Sequence, residues 1–403
     1  MTNNANQLAE KYRGNCAKFL RDIIALPSFS TGEEAVANRI ISEMEAVGFD
    51  QAFSDDYGNV IGRMGSGPIK IVFDGHIDTV GIGNPNNWSF DPFEGKVEAG
   101  YIYGRGASDN KAASAVQVYG AKIFKEMGLD LSQFSIYVVG SVQEEDCDGL
   151  GLQYALENTI KDVSFVCLGE CTDLDLYRGH RGRMEIKVKS RGRSCHGSAP
   201  ERGDNAIYKM NRLIEDLEKL NERLHMDEFL GKGTLAVTHI QCDTPSLCAV
   251  PDGCEIHIDR RLTFGEDKEL AISQIKELSS FDSESMEIYI PNYDTPSYKK
   301  KSLTQECYFP TWALEENHPL VVAGANAIKN VRRQENPVIS KWVFSTNGVS
   351  SMGRLGIPTI GQGPGQEEDS HTTNDRVKID DLVVSMAFYG ALPTELNKVL
   401  NQE

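Results

Sequence analysis

One stretch decides the fold, because in it a short apolar run ends in a cluster of polar and acidic residues: Ile69-Lys70-Ile71-Val72-Phe73-Asp74-Gly75-His76-Ile77-Asp78. Similar apolar runs lie further along the chain, at residues 134–139, 163–168 and 357–360. Short runs of this kind are typical of strands buried on both faces. Segments of helical periodicity lie between and around them, at residues 8–25, 33–47, 111–127, 151–159 and 379–400. The sequence therefore predicts an α/β fold, with a mostly parallel sheet covered by helices.

The pattern changes after residue 183, where apolar and polar residues begin to alternate along the strands. Ile256-His257-Ile258-Asp259 is one example, and such alternation is typical of a strand with one buried face. The predicted order is strand, helix, strand, strand, helix, strand, at residues 185–189, 206–220, 234–241, 255–262, 268–279 and 286–290. This βαββαβ order predicts an inserted ferredoxin-like domain. It divides the chain into 1–184 and 299–403, the two parts of the larger domain, and the insert 185–298.

Length and charge restrict the class of protein. The chain has 403 residues, more than one hydrophobic core usually organises. Its 59 acidic and 41 basic residues give a net charge of -18, which would repel a nucleic acid backbone. No apolar run reaches the roughly 18 residues that a membrane span requires, and the first residues have no signal-peptide pattern. The nine cysteines form no paired framework, so we expect a cytoplasmic protein with reduced thiols, binding neither nucleic acid nor membrane.

Histidine and carboxylate residues follow each of the four predicted buried strands. They are His76 and Asp78, Glu144 and Glu145, Glu170, and His371. The carboxyl ends of strands in an open α/β sheet form one crevice, so these side chains are expected to converge there. Imidazoles and carboxylates without a matched thiol pair favour zinc, or manganese or cobalt, over an iron–sulfur cluster or a zinc finger.

Each motif also has a purely structural interpretation. His76-x-Asp78 alone suits a surface turn, residues 144–146 suit a solvated acidic loop, Asp109 suits the N-cap of a following helix, and His371 suits a loop. However, residues i and i+2 of a strand point the same way, and a carboxylate can orient a metal-binding imidazole. Adjacent carboxylates can also divide their roles, one holding metal and the other moving protons.

Taken in order, the motifs resemble those of the co-catalytic zinc metallopeptidase family that includes aminoacylase, carboxypeptidase G, acetylornithine deacetylase and succinyl-diaminopimelate desuccinylase. They are H-x-D at 76–78, G-R-G-x-x-D-x-K at 104–111, E-E at 144–145, G-E at 169–170, G-P-G at 363–365 and H-x-x-N-D at 371–375. The resemblance spans nearly the whole chain and includes the insert, which in this family is a lid and dimerisation domain. The stretches 143–149, 177–183 and 194–200 are also similar to a bacterial branch of hydrolases linked to selenium metabolism.

The resemblance implies a role for each motif residue in a centre of two divalent metal ions per chain. His76 and Glu170 would hold one ion, and Glu145 and His371 would hold the other. Asp109 would bridge the two ions.

It also implies roles outside the metal ligands. Glu144 would be the general base and acid. Asp78 would orient the His76 ring without itself binding metal. In the insert, His196 would reach an active site, often that of the partner subunit, and stabilise the oxyanion. Arg261, in a D-x-R motif, would bind a substrate carboxylate. We therefore expect a homodimer formed through the insert.

Three departures from the family pattern bear on specificity. Cys248 occupies a position where relatives often have asparagine, Ala112 and Ala113 replace a glycine pair, and Asn347 replaces a usual aspartate. We expect Asn347 to contact substrate and His180 to line the cleft.

The metal ligands and Glu144 are all retained. The resemblance thus implies hydrolysis of a C–N amide bond in a small N-acyl or N-carbamoyl amino acid or related amide. A di- or exopeptidase acting on short peptides remains an alternative, as does a non-catalytic metal-binding scaffold of the same fold.

Overall fold

The computed structural model of the chain describes residues 2–128 and 132–401. The helices are α1 Thr2–Ile24, α2 Glu34–Val47, α3 Lys111–Glu126, α4 Leu150–Tyr154, α5 Ala206–Glu222, α6 Lys268–Lys276, α7 Pro319–Arg332 and α8 Ile379–Leu400. The strands are β1 Gln51–Ser54, β2 Val60–Gly65, β3 Ile69–His76, β4 Lys96–Glu98, β5 Tyr101–Tyr103, β6 Phe134–Ser141, β7 Phe165–Leu168, β8 Leu176–His180, β9 Gly182–Arg191, β10 Met226–Asp227, β11 Gly231–Lys232, β12 Thr234–Asp243, β13 Gly253–Leu262, β14 Met286–Tyr289, β15 Asn292–Tyr293, β16 Gln305–Glu306, β17 Tyr308–Phe309, β18 Trp312–Ala313, β19 Ile339–Trp342, β20 Thr359–Gly361 and β21 Arg376–Lys378. Of the helices in these ranges, none has the length and apolar character that crossing a bilayer demands.

The larger sheet has nine strands, in the order β1-β2-β6-β3-β7-β20-β8-β18, with β19 also paired to β8. Its centre is parallel, because β3 runs parallel to β6 and β7, and β20 runs parallel to β7. Antiparallel β1 and β2 extend one edge. The mostly parallel α/β sheet predicted from the apolar runs is therefore confirmed.

The central strands are mostly apolar because each face of the sheet packs on a separate core. Ile71 and Phe73 of β3 belong to the larger core, which contains α1, α2, α3, α7 and α8. Val72, between them, belongs to a second core with α4 and the π-helical turn Ala155–Ile160. Successive strand residues point to opposite faces, so burial on both sides removes the polar alternation that a half-exposed strand would show.

A second sheet of five strands has the order β12-β13-β9-β14, with β17 also on β9, and all its pairings are antiparallel. One face, including Ile186 and Ile258, packs on α5 and α6 and forms a separate core. The opposite face carries charged residues. This is the ferredoxin-like lid predicted from the βαββαβ order.

Several elements differ from the predicted bounds. The helix predicted at 8–25 is α1, Thr2–Ile24, and the helix predicted at 151–159 is the short α4 followed by a π-helical turn. The lid sheet begins at Gly182 and includes β17, which pairs with β9 through Tyr308 and Phe309. The division into 1–184, 185–298 and 299–403 remains our proposal for the domain boundaries.

Candidate active site

The carboxyl ends of four neighbouring strands surround the candidate site. β6, β3, β7 and β20 lie side by side, and the last residue of β3, His76, is the register partner of Ser141 at the end of β6. A cavity of about 310 Å³ lies at this edge. The predicted site residues that line it are His76, Asp109, Glu144, Glu145, Glu170, Arg261 and His371.

Asp109 lies between the two histidines, in the loop that joins β5 to α3. Its Oδ1 is 2.9 Å from Nε2 of His76, and its Oδ2 is 3.2 Å from Nε2 of His371. One carboxylate therefore faces both imidazoles, one through each oxygen. This geometry suits a ligand shared between two metal ions.

His76 is held in the orientation that a metal ligand needs. Its Nδ1–H donates to the carbonyl oxygen of Asp78 at 3.0 Å, which leaves Nε2 directed into the cavity, where it could bind a metal ion. The Asp78 carboxylate is fully buried, and it accepts hydrogen bonds from the backbone N–H groups of Glu144 and Glu145 and from the Ser30 hydroxyl. Asp78 thus connects the end of β3 to the loop that carries both glutamates.

Each histidine has a further carboxylate beside it. Oε1 of Glu170 is 3.6 Å from Nε2 of His76, and Oε2 of Glu145 is 3.0 Å from Nε2 of His371. Glu144 stands slightly further away, with its Oε2 4.0 Å from Nε2 of His76. Among the described residues none donates a hydrogen bond to the Glu144 side chain, so no such bond holds its carboxyl in place.

Burial of so many acids in one place perturbs their pKa values. Burial raises the pKa of Glu170 to about 8, against the opposing effect of the His76 charge. Burial likewise raises the pKa of the Glu144 carboxyl well above its ordinary value. Hydrogen bonds to Asp109 and Glu145 raise the pKa of His371 to about 10. The buried carboxylates therefore lack enough nearby positive charge to stabilise their ionised forms. Divalent cations would supply that charge.

The loop that carries His371 packs closely on the end of β7. A Cβ atom added to Gly363 would lie 2.3 Å from the carbonyl oxygen of Glu170, and one added to Gly365 would lie 2.5 Å from the Ser108 hydroxyl. Only glycine permits this approach without displacing backbone. The G-P-G turn thereby brings the His371 loop against the Glu170 and Asp109 loops.

The donors present fit a metal centre. One ligand atom each from His76, Asp109 and Glu145 lie within 4.8 Å of one another. Imidazole nitrogen and carboxylate oxygen are ligands of zinc, manganese and cobalt in proteins. Glu170 and His371 flank this group on its two sides, so two ions sharing Asp109 would each have a histidine and a glutamate.

Arg261 lines the cavity, but much of its hydrogen-bonding capacity is already used. Its Nε and one terminal nitrogen donate to the two oxygens of Asp259, at 2.8 and 3.0 Å. A substrate carboxylate would therefore meet only the remaining edge of the guanidinium.

Two residues expected at the cleft are structural instead. Asn347 is 1% exposed; its amide donates to Asp74 and Ser141 and its oxygen accepts from the N–H of Gly149. It does not line the cavity, which corrects the predicted substrate contact. His180 is also buried, and its Nε2 accepts from the indole N–H of Trp312 at 2.7 Å.

His196 lies in the lid, away from the residues that line the cavity. It is exposed, and its Nδ1 accepts hydrogen bonds from the N–H and hydroxyl of Ser198. Within one described chain it does not join the metal-ligand cluster. Its action at an active site, often that of the partner subunit in the family, stays a prediction.

The motifs did not indicate three charged residues that also line the cavity, Asp148, Arg183 and Glu367. Asp148 follows the E-E motif by three residues, and Arg183 lies at the start of β9. The sequence pattern that could have indicated Arg183 is the alternation along β9. It places Arg183 on the face opposite the apolar Met184 and Ile186.

The chain matches known proteins over most of its length. The model of peptidase family M20/M25/M40 matches residues 72–395. The uncharacterized protein YgeY of Escherichia coli (strain K12) is 49% identical over 385 residues, which are 96% of this chain and 95% of that protein. An acetylornithine deacetylase of Proteus mirabilis (strain HI4320) is 31% identical over 218 residues, 51% of this chain and 54% of that protein.

A solved structure supports the same grouping at the level of the fold. The Bacillus subtilis YXEP protein, described as a dinuclear metal binding peptidase from the M20 family, has a TM-score of 0.70 to this chain at 14% identity. The match covers 97% of this chain and 99% of that one. The family model, the relatives and the shared architecture agree with the motifs, and the chain belongs to peptidase family M20/M25/M40.

Proposed function

We propose that the protein hydrolyses the C–N amide bond of a small N-acyl or N-carbamoyl amino acid, or a related amide, in the cytoplasm. The observation that carries this proposal is the shared carboxylate of Asp109, with a histidine at 2.9 Å from one oxygen and another at 3.2 Å from the other. Family membership supports the hydrolase class. The small cavity supports a small substrate.

His76, Glu170, Asp109, Glu145 and His371 would hold two divalent ions, zinc in our proposal, with cobalt or manganese as the other candidates. Bound there, the ions would supply Lewis-acid chemistry, which lowers the pKa of bound water and polarises a substrate carbonyl oxygen. Asp78 would act through His76, by fixing which ring nitrogen carries the proton.

Glu144 would move the proton. Its carboxyl lies beside the ligands without being held by a hydrogen bond from another described side chain, so it is free to accept a proton at Oε2 and to deliver it to the leaving nitrogen. Loss of a general base of this kind lowers turnover by about 10²- to 10⁴-fold.

The test is Glu144→Gln, which keeps the size of the side chain and removes the base. We expect turnover of any substrate that the wild type cleaves to fall by about 10²- to 10⁴-fold, with metal content and melting temperature retained. The control is Asp146→Asn, since Asp146 contacts the Tyr293 hydroxyl outside the cavity lining. Full activity in Glu144→Gln would refute this mechanism.

The same assays distinguish the proposed function from two alternatives, a peptidase and a non-catalytic scaffold. A panel of N-acyl amino acids, carbamoyl compounds and dipeptides distinguishes a deacylase from a di- or exopeptidase. The fold shared with YXEP, described as a peptidase, favours including dipeptides. A metal-loaded protein that cleaves none of the panel would favour the scaffold interpretation.

A further inference from the structure

The face of the lid sheet that meets the cavity carries two arginines side by side. Arg183 on β9 and Arg261 on β13 are register partners in an antiparallel pair, and both line the cavity. Their side chains therefore point to the same face from directly opposite positions. Like charges in such positions destabilise a sheet, so neighbouring anions must compensate them.

The acids around the two arginines engage them unequally. Asp259 holds Arg261 with two hydrogen bonds, at 2.8 and 3.0 Å. Arg183 has only long ion pairs, with one terminal nitrogen 3.4 Å from Asp148 and 3.5 Å from Glu185. Among the described residues none accepts a hydrogen bond from its guanidinium, and its Nε is buried without a partner.

Unpaired buried donors are rare, because a donor that loses its hydrogen bonds to water and gains none in the protein destabilises the fold. The Arg183 side chain is nevertheless only 20% exposed, and its guanidinium carbon lies 4.6 Å from the centre of the Phe309 ring, against which it packs. An oriented guanidinium with free donors is suited to bind a carboxylate in bidentate fashion.

Arg183 also lies close to the residues proposed to carry out the hydrolysis, because it lines the same cavity as Glu144. Burial disfavours its charged form, but Asp148, Glu185, Asp259 and Glu144 outweigh that effect and raise its pKa. A carboxylate bound to Arg183 in this cavity would lie near Glu144, just as the α-carboxylate of an N-acyl amino acid lies near its scissile amide. In a cavity of about 310 Å³ the two groups cannot be far apart.

We propose that Arg183, rather than Arg261, is the principal residue that binds the substrate's α-carboxylate. The long ion pairs with Asp148 and Glu185 hold its guanidinium in position until the substrate takes over its donors. Arg261, already bonded to Asp259, supports the same carboxylate from across the sheet. This inference rests on the proposed amide hydrolysis.

The experiment compares an N-acyl amino acid with its primary amide, which has the same shape and no negative charge. In the wild type we expect kcat/KM to favour the acid. Arg183→Gln should lower kcat/KM for the acid by about 10- to 100-fold, chiefly through KM, and leave the value for the amide nearly unchanged. Arg183→Lys should restore part of the preference, because it keeps the charge and loses the planar fork.

Arg261→Gln is the matched comparison, and it should retain most of the preference for the acid. Arg191→Gln, at the exposed end of β9 where Arg191 pairs with Glu287, should leave both substrates unaffected. The ratio of acid to amide is insensitive to a general loss of folded enzyme. Loss of the preference in Arg261→Gln with its retention in Arg183→Gln would overturn the proposal.

A binding measurement separates this proposal from the proposed function. If the metal-loaded wild type cleaved neither compound, the proposed hydrolysis of this class would fail, and binding would then decide the role of Arg183. The N-acyl amino acid should raise the melting temperature of the wild type more than its amide does, and this difference should vanish in Arg183→Gln. An unchanged difference would exclude Arg183 as the carboxylate site.

Discussion

At the scale of single residues, the candidate site depends on side chains from distant parts of the chain, which meet at Asp109. His76, Asp109 and His371 were identified from ordered motifs, and their side chains meet within hydrogen-bonding distances. Asn347 was expected at the substrate and is instead buried against Asp74. Whether a polar side chain faces a cavity depends on tertiary contacts across hundreds of residues, and no local pattern records them.

The buried hydrogen bond between His180 and Trp312 is one such contact, and it leads to a prediction about stability. Burial lowers its pKa to about 4 from an ordinary value of 6.5, so the folded protein holds it neutral. Its contribution to stability is complete above about pH 6.5, and it is lost as the pH falls from 6.5 towards 4, because the unfolded chain then binds the additional proton. The difference corresponds to about 3 kcal/mol.

We expect the melting temperature of the wild type to fall more steeply with acid over this range than that of His180→Gln. Glutamine can still accept from Trp312, and it does not titrate. The check is thermal unfolding of both proteins between pH 7.5 and pH 4.5. Parallel curves would show that His180 does not titrate as its burial implies.

At the scale of elements, the spacing of apolar residues and the length of the apolar runs predicted the buried strands but not every helix. The run at 69–73 is the start of β3, and alternation identified the lid strands. α1 begins at Thr2, earlier than expected, because small residues such as Ala5 and Ala9 pack in the core without a marked apolar stripe. α7, Pro319–Arg332, was not predicted, since a short apolar run alone does not distinguish a buried helix from a strand.

The lid's edge strand supports the proposed homodimer. β12 ends the order of its sheet, and most of its residues are exposed, including Ile240 at 50%. An exposed edge strand has unpaired backbone N–H and C=O groups, which form a surface for pairing with another strand. We propose that a second copy of the chain pairs here.

Ile240→Lys should then convert a dimer to a monomer in light scattering, because a lysine on an edge strand opposes pairing. Its metal content should be unchanged. If His196 acts in the partner's site, turnover should fall with dimerisation. Val97→Lys, at a residue of similar exposure on β4, is the control. A wild type that is monomeric at all concentrations would exclude the dimer.

At the scale of the whole molecule, only a small share of the acidic residues belongs to the candidate site. Asp78, Asp109, Glu144, Glu145 and Glu170 belong to the proposed centre, out of 59 acidic residues in the chain. The net charge of -18 indicated which partners to exclude, whereas the function follows from a few carboxylates at the ends of adjacent strands. The length was explained by the inserted lid, whose separate core a single-core fold would not need.

The central claim is that these strand ends form a centre for two divalent ions that share Asp109. Elemental analysis of protein saturated with zinc and freed of excess metal tests it most directly. The account predicts two equivalents of zinc per chain in the wild type, and a loss of both in Asp109→Ala, since each ion would lose the shared ligand. One equivalent or less in the wild type, or two in Asp109→Ala, would contradict it.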